Sequence, residues 1–310
     1  HDSAPSDLVI EDKTQEVNPD TMRKYEDPAT QIKPPNPIDI NSLYPMLSQP
    51  DFPDNSFISS IVGSRRSGKS TVCESILCNE LKDRFNTYFL FSPTLSGFDS
   101  IPNNHKFRDL AILPQIIKKQ QDAVKNNIEV SKLIKKNEKQ QSKIKYFEKD
   151  YIDSKICVII DDMQGSGQLK NNKLLNKIAT NGRHICSPDK TGRTDMSFFI
   201  LSQSVVGLDT TIRRNSDVLI SSRLSSKKDR EILVNENMIL NSSRGGISDA
   251  YFNYDQITLD RDYSFISLLN WKSNKSDYNK YVRQYQANTE KFQDIHLCGS
   301  DNDWSSEKPF

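Results

Sequence analysis

A glycine-rich loop between a strand-like run and an amphipathic segment constrains this chain more than any other feature of its sequence. Residues 63–70 read Gly-Ser-Arg-Arg-Ser-Gly-Lys-Ser and fit the pattern GxxxxGK[ST] in full. The apolar run at 57–62 predicts a strand before the loop, and apolar positions between 70 and 81 recur with helical spacing after it. This order favours a phosphate-binding loop over an ordinary glycine turn, which is the alternative interpretation.

The residue types of the loop each have a physical reason. Gly63 and Gly68 permit backbone angles that other residues avoid, so successive N–H groups can turn towards an anion. The helix that follows presents its positive end at the same place. Lys69 can reach the β and γ phosphates of a nucleotide, and the Ser70 hydroxyl suits Mg²⁺. We therefore predict ATP and Mg²⁺ as cofactors, with a binding set of Gly63, Ser64, Arg65, Arg66, Ser67, Gly68, Lys69, Ser70 and Thr71.

Two aspartates follow the apolar run Ile-Cys-Val-Ile-Ile at 156–160. A continuous apolar run of this length suits a central parallel strand that is buried on both faces. Because open α/β sheets bind ligands at the carboxyl ends of their strands, we expect Asp161 and Asp162 to lie beside the phosphate loop. We assign Asp161, with Ser70, to Mg²⁺ through water, and Asp162 to the attacking water. A pair of aspartates that caps a turn is the structural alternative.

Later polar residues supply further candidates. Gln203 ends the apolar run at 197–202, where its amide could contact the γ phosphate or the attacking water; a buried structural glutamine is the alternative. Arg183 and the pair Arg213 and Arg214 are candidates for an arginine supplied across a subunit interface, although surface arginines without such a role are common. The predicted catalytic set is Lys69, Asp161, Asp162, Gln203, Arg183, Arg213 and Arg214.

Alternation of apolar runs with helical patterns predicts an α/β fold with a mainly parallel central sheet flanked by helices. The predicted strands lie at 57–62, 87–91, 156–160, 197–202, 217–221 and 264–269, and the predicted helices include 169–179 and 227–236. These elements define a domain at 51–272. Its charged segment, residues 115–150, predicts helices with one thin apolar face, either as solvated surface or as a DNA contact.

The two ends of the chain differ from this domain. Residues 1–50 are rich in Pro, Asp, Ser and Asn, which predicts an extended or disordered arm. Residues 273–310 are predicted to form a polar tail. No apolar stretch approaches the ~20 residues that cross a bilayer, and no signal-type segment is seen, so we predict a soluble intracellular protein without a membrane partner.

Charge and cysteine content leave the partners open. The 42 Lys and Arg almost balance the 41 Asp and Glu, so any contact with DNA must come from local clusters. The five cysteines lack paired CxxC spacing, which predicts reduced thiols in a cytosol-like compartment. The four scattered histidines cannot build a metal site of their own.

The order of these motifs resembles the FtsK/HerA superfamily, in particular the poxvirus-type DNA-packaging ATPases of large DNA viruses, virophages and Maverick-type elements. The resemblance runs from about residue 57 to 235. Besides the loop and the acidic pair, it rests on Phe91-Ser92-Pro93-Thr94, Asn181-Gly182-Arg183-His184, Leu201-Ser202-Gln203-Ser204 and Ile212-Arg213-Arg214-Asn215.

The resemblance implies a RecA-like P-loop NTPase that forms a homo-oligomeric ring, hexameric or pentameric, and pumps double-stranded DNA into a preformed capsid. It further implies Gln203 as a polar sensor, Arg183 as the arginine acting in trans, and capsid vertex proteins as partners. The implied location is a virus assembly site in the host cytoplasm or nucleus, or the virion itself.

One segment departs from the family pattern. Residues 186–196 look like an inserted loop, which either moves Arg183 away from a neighbouring active site or faces the pore, with Lys190 and Arg193 on DNA phosphates.

The sequence therefore predicts an ATP-driven translocase of double-stranded DNA that packages a viral or virus-like genome. Another DNA-pumping ATPase of FtsK/HerA type, for plasmid mobilisation or resection, is one alternative. A P-loop nucleotide-binding protein that is not a motor is the other. Asp162 argues against a kinase.

Overall fold

A central sheet with helices around it is seen in the computed structural model, which describes residues 56–140, 150–164, 167–185, 189–239, 246–260, 262–271 and 281–286. The strands are β1 (Ile58–Val62), β2 (Thr87–Phe91), β3 (Lys106–Phe107), β4 (Ser154–Asp161), β5 (Thr194–Ser202), β6 (Val218–Ser222), β7 (Ser264–Leu269) and β8 (Val282–Gln286). The helices are α1 (Lys69–Ser75), α2 (Leu113–Gln140), α3 (Lys173–Ile185), α4 (Thr210–Asn215), α5 (Lys227–Asn237) and α6 (Gly246–Leu259). The predicted arm at 1–50 lies outside the described residues.

The eight strands form one sheet in the order β3-β2-β4-β5-β1-β6-β7-β8. The strands from β3 to β6 in this order pair in parallel, whereas β7 is antiparallel to both β6 and β8. The predicted mainly parallel α/β fold is therefore confirmed. We call the edge where β1, β2, β4, β5 and β6 end the carboxyl edge, and the edge where they begin the amino edge.

The central strands are buried on both faces, as the continuous apolar runs predict. Every residue of β1 and β2 is buried, and so are the last six residues of β4. Crossovers between parallel strands cover both faces of such a sheet, and this removes the apolar–polar alternation of a one-sided sheet. The five predicted apolar runs before residue 222 all form strands.

The predicted inserted loop at 186–196 extends three residues too far, since residues 194–196 form the start of β5. Thr194 and Asp195 are polar and yet almost fully buried. Their side chains are satisfied by hydrogen bonds: Thr194 accepts from the Asp189 N–H, and Asp195 accepts from Arg84. The apolar run that predicts this strand therefore does not include its first three residues, 194–196. Residues 186–188 lie outside the described part of the chain.

Helices differ from the predictions mainly in their bounds. The predicted helix after the glycine loop is α1, which continues as a π-helical turn at Ile76–Glu80. Of the charged segment at 115–150, the part up to residue 140 belongs to one long helix, α2, whose inner face carries the fully buried Gln120 and Asn127; residues 141–149 lie outside the described part of the chain. The helix predicted at 169–179 is displaced to Lys173–Ile185.

The predicted polar tail at 273–310 is wrong for 281–286, where β8 forms the last strand of the sheet. Tyr281, Val282 and Tyr285 are buried there. A strand of this length that contains Arg and two Gln has no apolar run by which the sequence would reveal it. Helix α6 was also not predicted. In the described ranges, no helix combines the length and the hydropathy that crossing a membrane requires.

Candidate active site

The predicted site residues other than Arg183, Arg213 and Arg214 meet at the carboxyl edge. The glycine loop follows β1, Asp161 is the last residue of β4, and Gln203 comes directly after β5. Because β4, β5 and β1 are neighbours in the sheet, their ends open into one cavity of about 820 Å³. Its lining is Arg65, Arg66, Lys69, Ser70, Ser92, Pro93, Thr94, Ser96, Gly97, Asp161, Asp162, Gln164 and Gln203.

The glycine loop is packed so tightly that its two fixed glycines are needed. A Cβ on Gly63 would collide with the hydroxyls of Ser67 and Ser222. Gly68 has a φ of 89°, and a Cβ on it would lie 3.1 Å from the ring of Tyr263. Left-handed backbone angles are strained for residues with a side chain, so both positions favour glycine. Helix α1 starts at Lys69, directly after Gly68, and the first N–H groups of an α-helix have no acceptor within the helix.

Lys69 is held over the loop by main-chain oxygens. Its ammonium donates to the carbonyl of Gly63 at 2.8 Å and to that of Ser64 at 3.0 Å. Burial lowers the pKa of Lys69 from its ordinary value, while the nearby charges of Asp161 and Asp162 act in the opposite direction. The side chain is therefore a buried cation between the loop and the two acids.

Ser70 and Asp161 bring the loop and β4 together. The Ser70 hydroxyl donates to Asp161 Oδ2 at 3.3 Å. Burial, and then the neighbouring carboxylate of Asp162, raise the pKa of Asp161 to about 6, against the lowering effects of Ser70 and Lys69. A cation beside this carboxylate would favour its charged form.

The backbone conformation of Asp162 and a contact with Gln203 orient the Asp162 carboxylate. Its φ of 53° is left-handed, a conformation that aspartate tolerates better than most residues. The Gln203 amide donates to both carboxylate oxygens of Asp162, at 2.7 and 2.6 Å. The pair spans the ends of β4 and β5, so the two side chains form one unit at the mouth of the cavity.

Gln164 was not predicted from the sequence, but it lines the cavity. Its side-chain oxygen accepts from the main-chain N–H of Gln203 at 3.2 Å, and its side-chain NH₂ donates to the Ser204 hydroxyl at 3.1 Å. A Cβ on Gly207 would occupy the place of the Gln164 amide, so glycine at 207 makes room for it. Its position three residues after Asp161 is the signal that could have indicated it.

Arg213 is wrong as a candidate for an arginine acting in trans. Its guanidinium donates to the carbonyls of Val205 and Leu208, at 3.2 and 2.9 Å, and pairs with Glu236 at 3.2 Å. The residue is 7% exposed. The side chain is therefore used within its own subunit, to tie α4 to the preceding loop and to α5.

Arg214 lies at the amino edge of the sheet, and so do Gly182 and His184, the neighbours of Arg183 in the sequence. Arg214 is exposed and lines a cavity of about 330 Å³, together with Gly182 and His184 of α3. The same cavity is lined by Phe57 and Ile58 at the start of β1. Residues beside the amino edge cannot serve the cavity at the carboxyl edge of the same subunit, so Arg183 and Arg214 stay candidates only for a neighbouring subunit.

The turn before β5 is held by Asp189, whose carboxylate accepts from the N–H groups of Thr191 and Arg193, at 2.9 and 3.2 Å. The Arg193 guanidinium pairs with Asp153 at 3.3 Å and lies over the Tyr151 ring. Arg193 is therefore engaged at the amino edge, which weakens its predicted contact with DNA. Lys190 is exposed on the turn.

Comparison with known proteins gives a family match. The model of the family described as Poxvirus A32 protein matches residues 48–250, more than half of the 310 residues. No curated protein sequence matches the chain.

Several solved structures are similar to this chain. The pCW3 conjugation coupling protein TcpA, solved as a monomer with ATPγS, has 15% identity and a TM-score of 0.45, over 78% of this chain and 62% of that chain. The genome packaging NTPase B204 from Sulfolobus turreted icosahedral virus 2, with AMPPCP, has 12% identity and a TM-score of 0.43, over 76% and 99%. ATPases 2 and 3 of EssC from Geobacillus thermodenitrificans have 13% identity and a TM-score of 0.41, over 79% and 43%. This chain thus spans 62% of the length of the coupling protein.

Proposed function

The chain belongs to the family described as Poxvirus A32 protein, and from that premise we propose that it is a viral genome-packaging ATPase, which hydrolyses ATP in the carboxyl-edge cavity to drive double-stranded DNA into a capsid. One observation carries the proposal. The phosphate loop after β1, the acids after β4 and the amide after β5 surround one cavity, with Ser70 hydrogen-bonded to Asp161 at 3.3 Å. Open α/β sheets bind their ligands at this edge.

The loop holds the triphosphate. Main-chain N–H groups of the loop and the N-terminus of α1 favour negative charge, and the Lys69 ammonium already lies over the loop. Arg65 and Arg66 line the same cavity and are exposed, so they can neutralise phosphate oxygens at its rim. The nucleotide is therefore bound with its γ phosphate towards Asp161 and Asp162.

The residues present fit Mg²⁺. This ion prefers oxygen ligands and keeps several waters, so one hydroxyl, one carboxylate and the phosphates suffice to hold it. Ser70 and Asp161 supply the hydroxyl and the carboxylate, and their oxygens lie 3.3 Å apart. Among the described residues, no group of three or more His, Cys, Asp or Glu could form a metal site made of protein ligands alone. When bound, Mg²⁺ would neutralise charge on the β and γ phosphates.

Asp162 acts on the attacking water. Its carboxylate, aimed by the two contacts from Gln203, accepts a hydrogen bond from the water and then its proton. The water oxygen forms a bond to the γ phosphorus while the bond from phosphorus to the bridging oxygen of ADP breaks, so the products are ADP and phosphate. Loss of the γ phosphate changes the contacts of Asp162, and Gln203 transmits that change to β5.

The ring completes the site. A cation from a neighbouring subunit would neutralise charge that develops on the transferred phosphoryl group, and the exposed Arg214 and the α3 residue Arg183 are the candidates. Both belong to the surroundings of the amino edge, so a neighbour in a homo-oligomeric ring, a hexamer or a pentamer, must supply them. The partners we propose are double-stranded DNA, other copies of this chain and capsid vertex proteins, at a virus assembly site.

The proposal is tested by ATP turnover of size-fractionated protein with and without duplex DNA. We expect turnover by an oligomer and its stimulation by DNA, and we expect Lys69→Ala to lose turnover by about 100-fold or more because transition-state charge is no longer neutralised. A monomer whose hydrolysis ignores DNA would contradict the motor function.

Mixed rings identify the arginine in the same assay. Arg183→Ala or Arg214→Ala alone loses turnover if that residue acts in trans. Mixing the inactive arginine variant with Lys69→Ala restores part of the turnover, because the Lys69→Ala subunit still supplies its arginine to a neighbour with an intact loop. Lack of restoration for both variants would show that neither arginine acts across the interface.

A further inference from the structure

Tyr263 occupies an unusual place beside the phosphate loop. It lies between α6 and β7, with a left-handed φ of 59°, and 54% of the residue is exposed. Its ring approaches Gly68 so closely that a Cβ on that glycine would lie 3.1 Å from it. A bulky residue with positive φ is an outlier, and such strain persists where the surrounding structure imposes it, often at ligand sites.

The position of the acids fixes the direction in which a nucleotide must leave the loop. Asp161 and Asp162 lie on the β4 and β5 side of β1, so the γ phosphate points to that side. Sugar and base must then extend to the other side, where β6 and β7 follow β1 in the sheet. Tyr263, directly before β7, is the aromatic residue that lines a second cavity of about 540 Å³ there, formed with loop residues from Arg66 to Thr71.

A third cavity continues from the second. It shares Ser67 and Tyr263 with the second cavity and is also lined by the exposed polar residues Arg223 and Asp262. The loop is thus flanked by acids on one side and by an aromatic face with polar neighbours on the other. The side of the loop with Tyr263 and its polar neighbours suits a phosphate ester that carries a flat heterocyclic base and a hydroxylated sugar.

We propose that Tyr263 stacks on the nucleobase of the bound nucleotide and so sets the affinity for a nucleotide over bare triphosphate; this rests on the proposed ATPase function. Stacking uses the face of the ring and not its hydroxyl. Gly68 lets the ring lie against the loop without a side chain between them. The strained backbone holds the ring in place before the base arrives, which lowers the entropy lost on binding.

The test compares two probes, ATP and inorganic tripolyphosphate, both with Mg²⁺, binding to the full chain. Tyr263→Gly removes the ring at a position whose backbone favours glycine, so the variant should fold at least as well as the wild type. We expect about tenfold weaker binding of ATP to Tyr263→Gly, since stacking on one aromatic ring is worth roughly this much, and unchanged binding of tripolyphosphate. Tyr263→Phe keeps the ring and should bind both probes as the wild type does.

Other outcomes overturn the inference. Equal weakening of both probes by Tyr263→Gly would show that the ring only supports the loop. Unchanged binding of both would show that the base lies elsewhere. A Tyr263→Trp variant gives a direct signal, since its fluorescence should change on binding ATP but not on binding tripolyphosphate.

Failure of the proposed function has a different signature. A wild-type chain that binds neither probe, or that binds both equally well before and after Lys69→Ala, has no phosphate site at this loop. In that case both proposals fall. If the wild type binds both probes through Lys69 and only the Tyr263 effect is missing, the ATPase proposal stands and the stacking inference alone is wrong.

Discussion

The two edges of the parallel sheet carry polar residues in opposite ways. At the amino edge, Asp195 and Gln120 are buried and bound to the same chain: Asp195 pairs with Arg84 at 3.2 Å, and Gln120 donates to the carbonyls of Ser154 and Asp195, at 2.7 and 2.9 Å. At the carboxyl edge, the Asp162 and Gln203 side chains pair with each other and face an open cavity.

The difference shows which polar groups serve stability and which serve chemistry. A buried polar group costs free energy unless it is paired, so the buried groups of the amino edge are satisfied within the chain. At the carboxyl edge the groups also meet solvent and one another, and the backbone of Asp162 has a left-handed φ of 53°. Residues with a strained backbone or a solvent-facing polar group occur at ligand sites. We therefore expect substitutions at the carboxyl edge to change ATP turnover more than folding stability.

The largest effect that follows from this comparison is that of Asp162→Asn. The variant keeps the size of the side chain, a residue type that tolerates positive φ, and an oxygen that can accept from Gln203. It loses the base that takes the proton from water, so steady-state turnover should fall by about 100-fold or more. ATP affinity and the thermal midpoint should change little.

Asp122→Asn is the control, because it removes an equal charge from the exposed face of α2, where Asp122 pairs with Lys125. It should leave turnover unchanged. Full turnover by Asp162→Asn would contradict the catalytic role of the carboxyl edge, since Asp162 would then not act as the base.

Central strands and the phosphate loop can be predicted from the sequence because their signals are local. Residues 87–91 and 264–269 form strands with the bounds that their apolar runs predict. β8 and the first residues of β5 could not be found in this way, since partners distant in sequence satisfy their polar residues. Asp195 is such a case, because its guanidinium partner Arg84 lies 111 residues away.

The candidate site likewise contains residues that the sequence predicts and residues that it does not. Residue types with fixed spacing predict Lys69, Ser70 and Asp161, and the structure brings them to one cavity. The buried role of Arg213 depends on Glu236 and on two carbonyls, none of which a sequence pattern links to it. Tyr263 is an ordinary tyrosine in the sequence, and only the packing of the β7 side against Gly68 distinguishes it.

A smaller effect, on stability, is expected at the amino edge. Asp195→Asn removes the charge that faces the Arg84 guanidinium, whose side chain is 18% exposed against 6% for Asp195. Breaking a buried pair leaves one uncompensated charge, so the free energy of unfolding in urea should fall by about 3 kcal/mol. Burial raises the pKa of Asp195 against the effect of Arg84, which moderates the loss.

Asp153→Asn gives the matched control for that pair. Asp153 pairs with Arg193, two residues before Asp195, but 61% of the Asp153 side chain is exposed. Exposed pairs contribute about 1 kcal/mol or less, so this variant should unfold almost as the wild type does. Equal losses for Asp153→Asn and Asp195→Asn would mean that burial does not distinguish the two pairs.

The smallest effect concerns Glu80, where the rule of satisfied burial fails. The chain returns from the carboxyl edge through α1 and its π-helical turn, which ends at Glu80. Among the described residues, Glu80 Oε2 is buried without a hydrogen-bond partner. Burial raises the pKa of this carboxyl from its ordinary value of 4.5 to about 8. The folded state thus keeps a proton that the unfolded chain has lost at neutral pH.

The sign of the pH effect follows from this proton. A carboxyl with a raised pKa in the folded state gives its full stability below pH 4.5 and loses it progressively as the pH rises to about 8. Glu80→Gln carries no such proton, so its stability should gain on that of the wild type by about 1 kcal/mol for each pH unit between 6 and 7. Urea unfolding of both proteins at pH 5, 6, 7 and 8 measures the gap. Glu129→Gln, on the exposed face of α2, should show no such trend. A gap that stays constant with pH would mean that Glu80 is ionised in the folded protein and that the space behind α1 is open to water, as the carboxyl edge is.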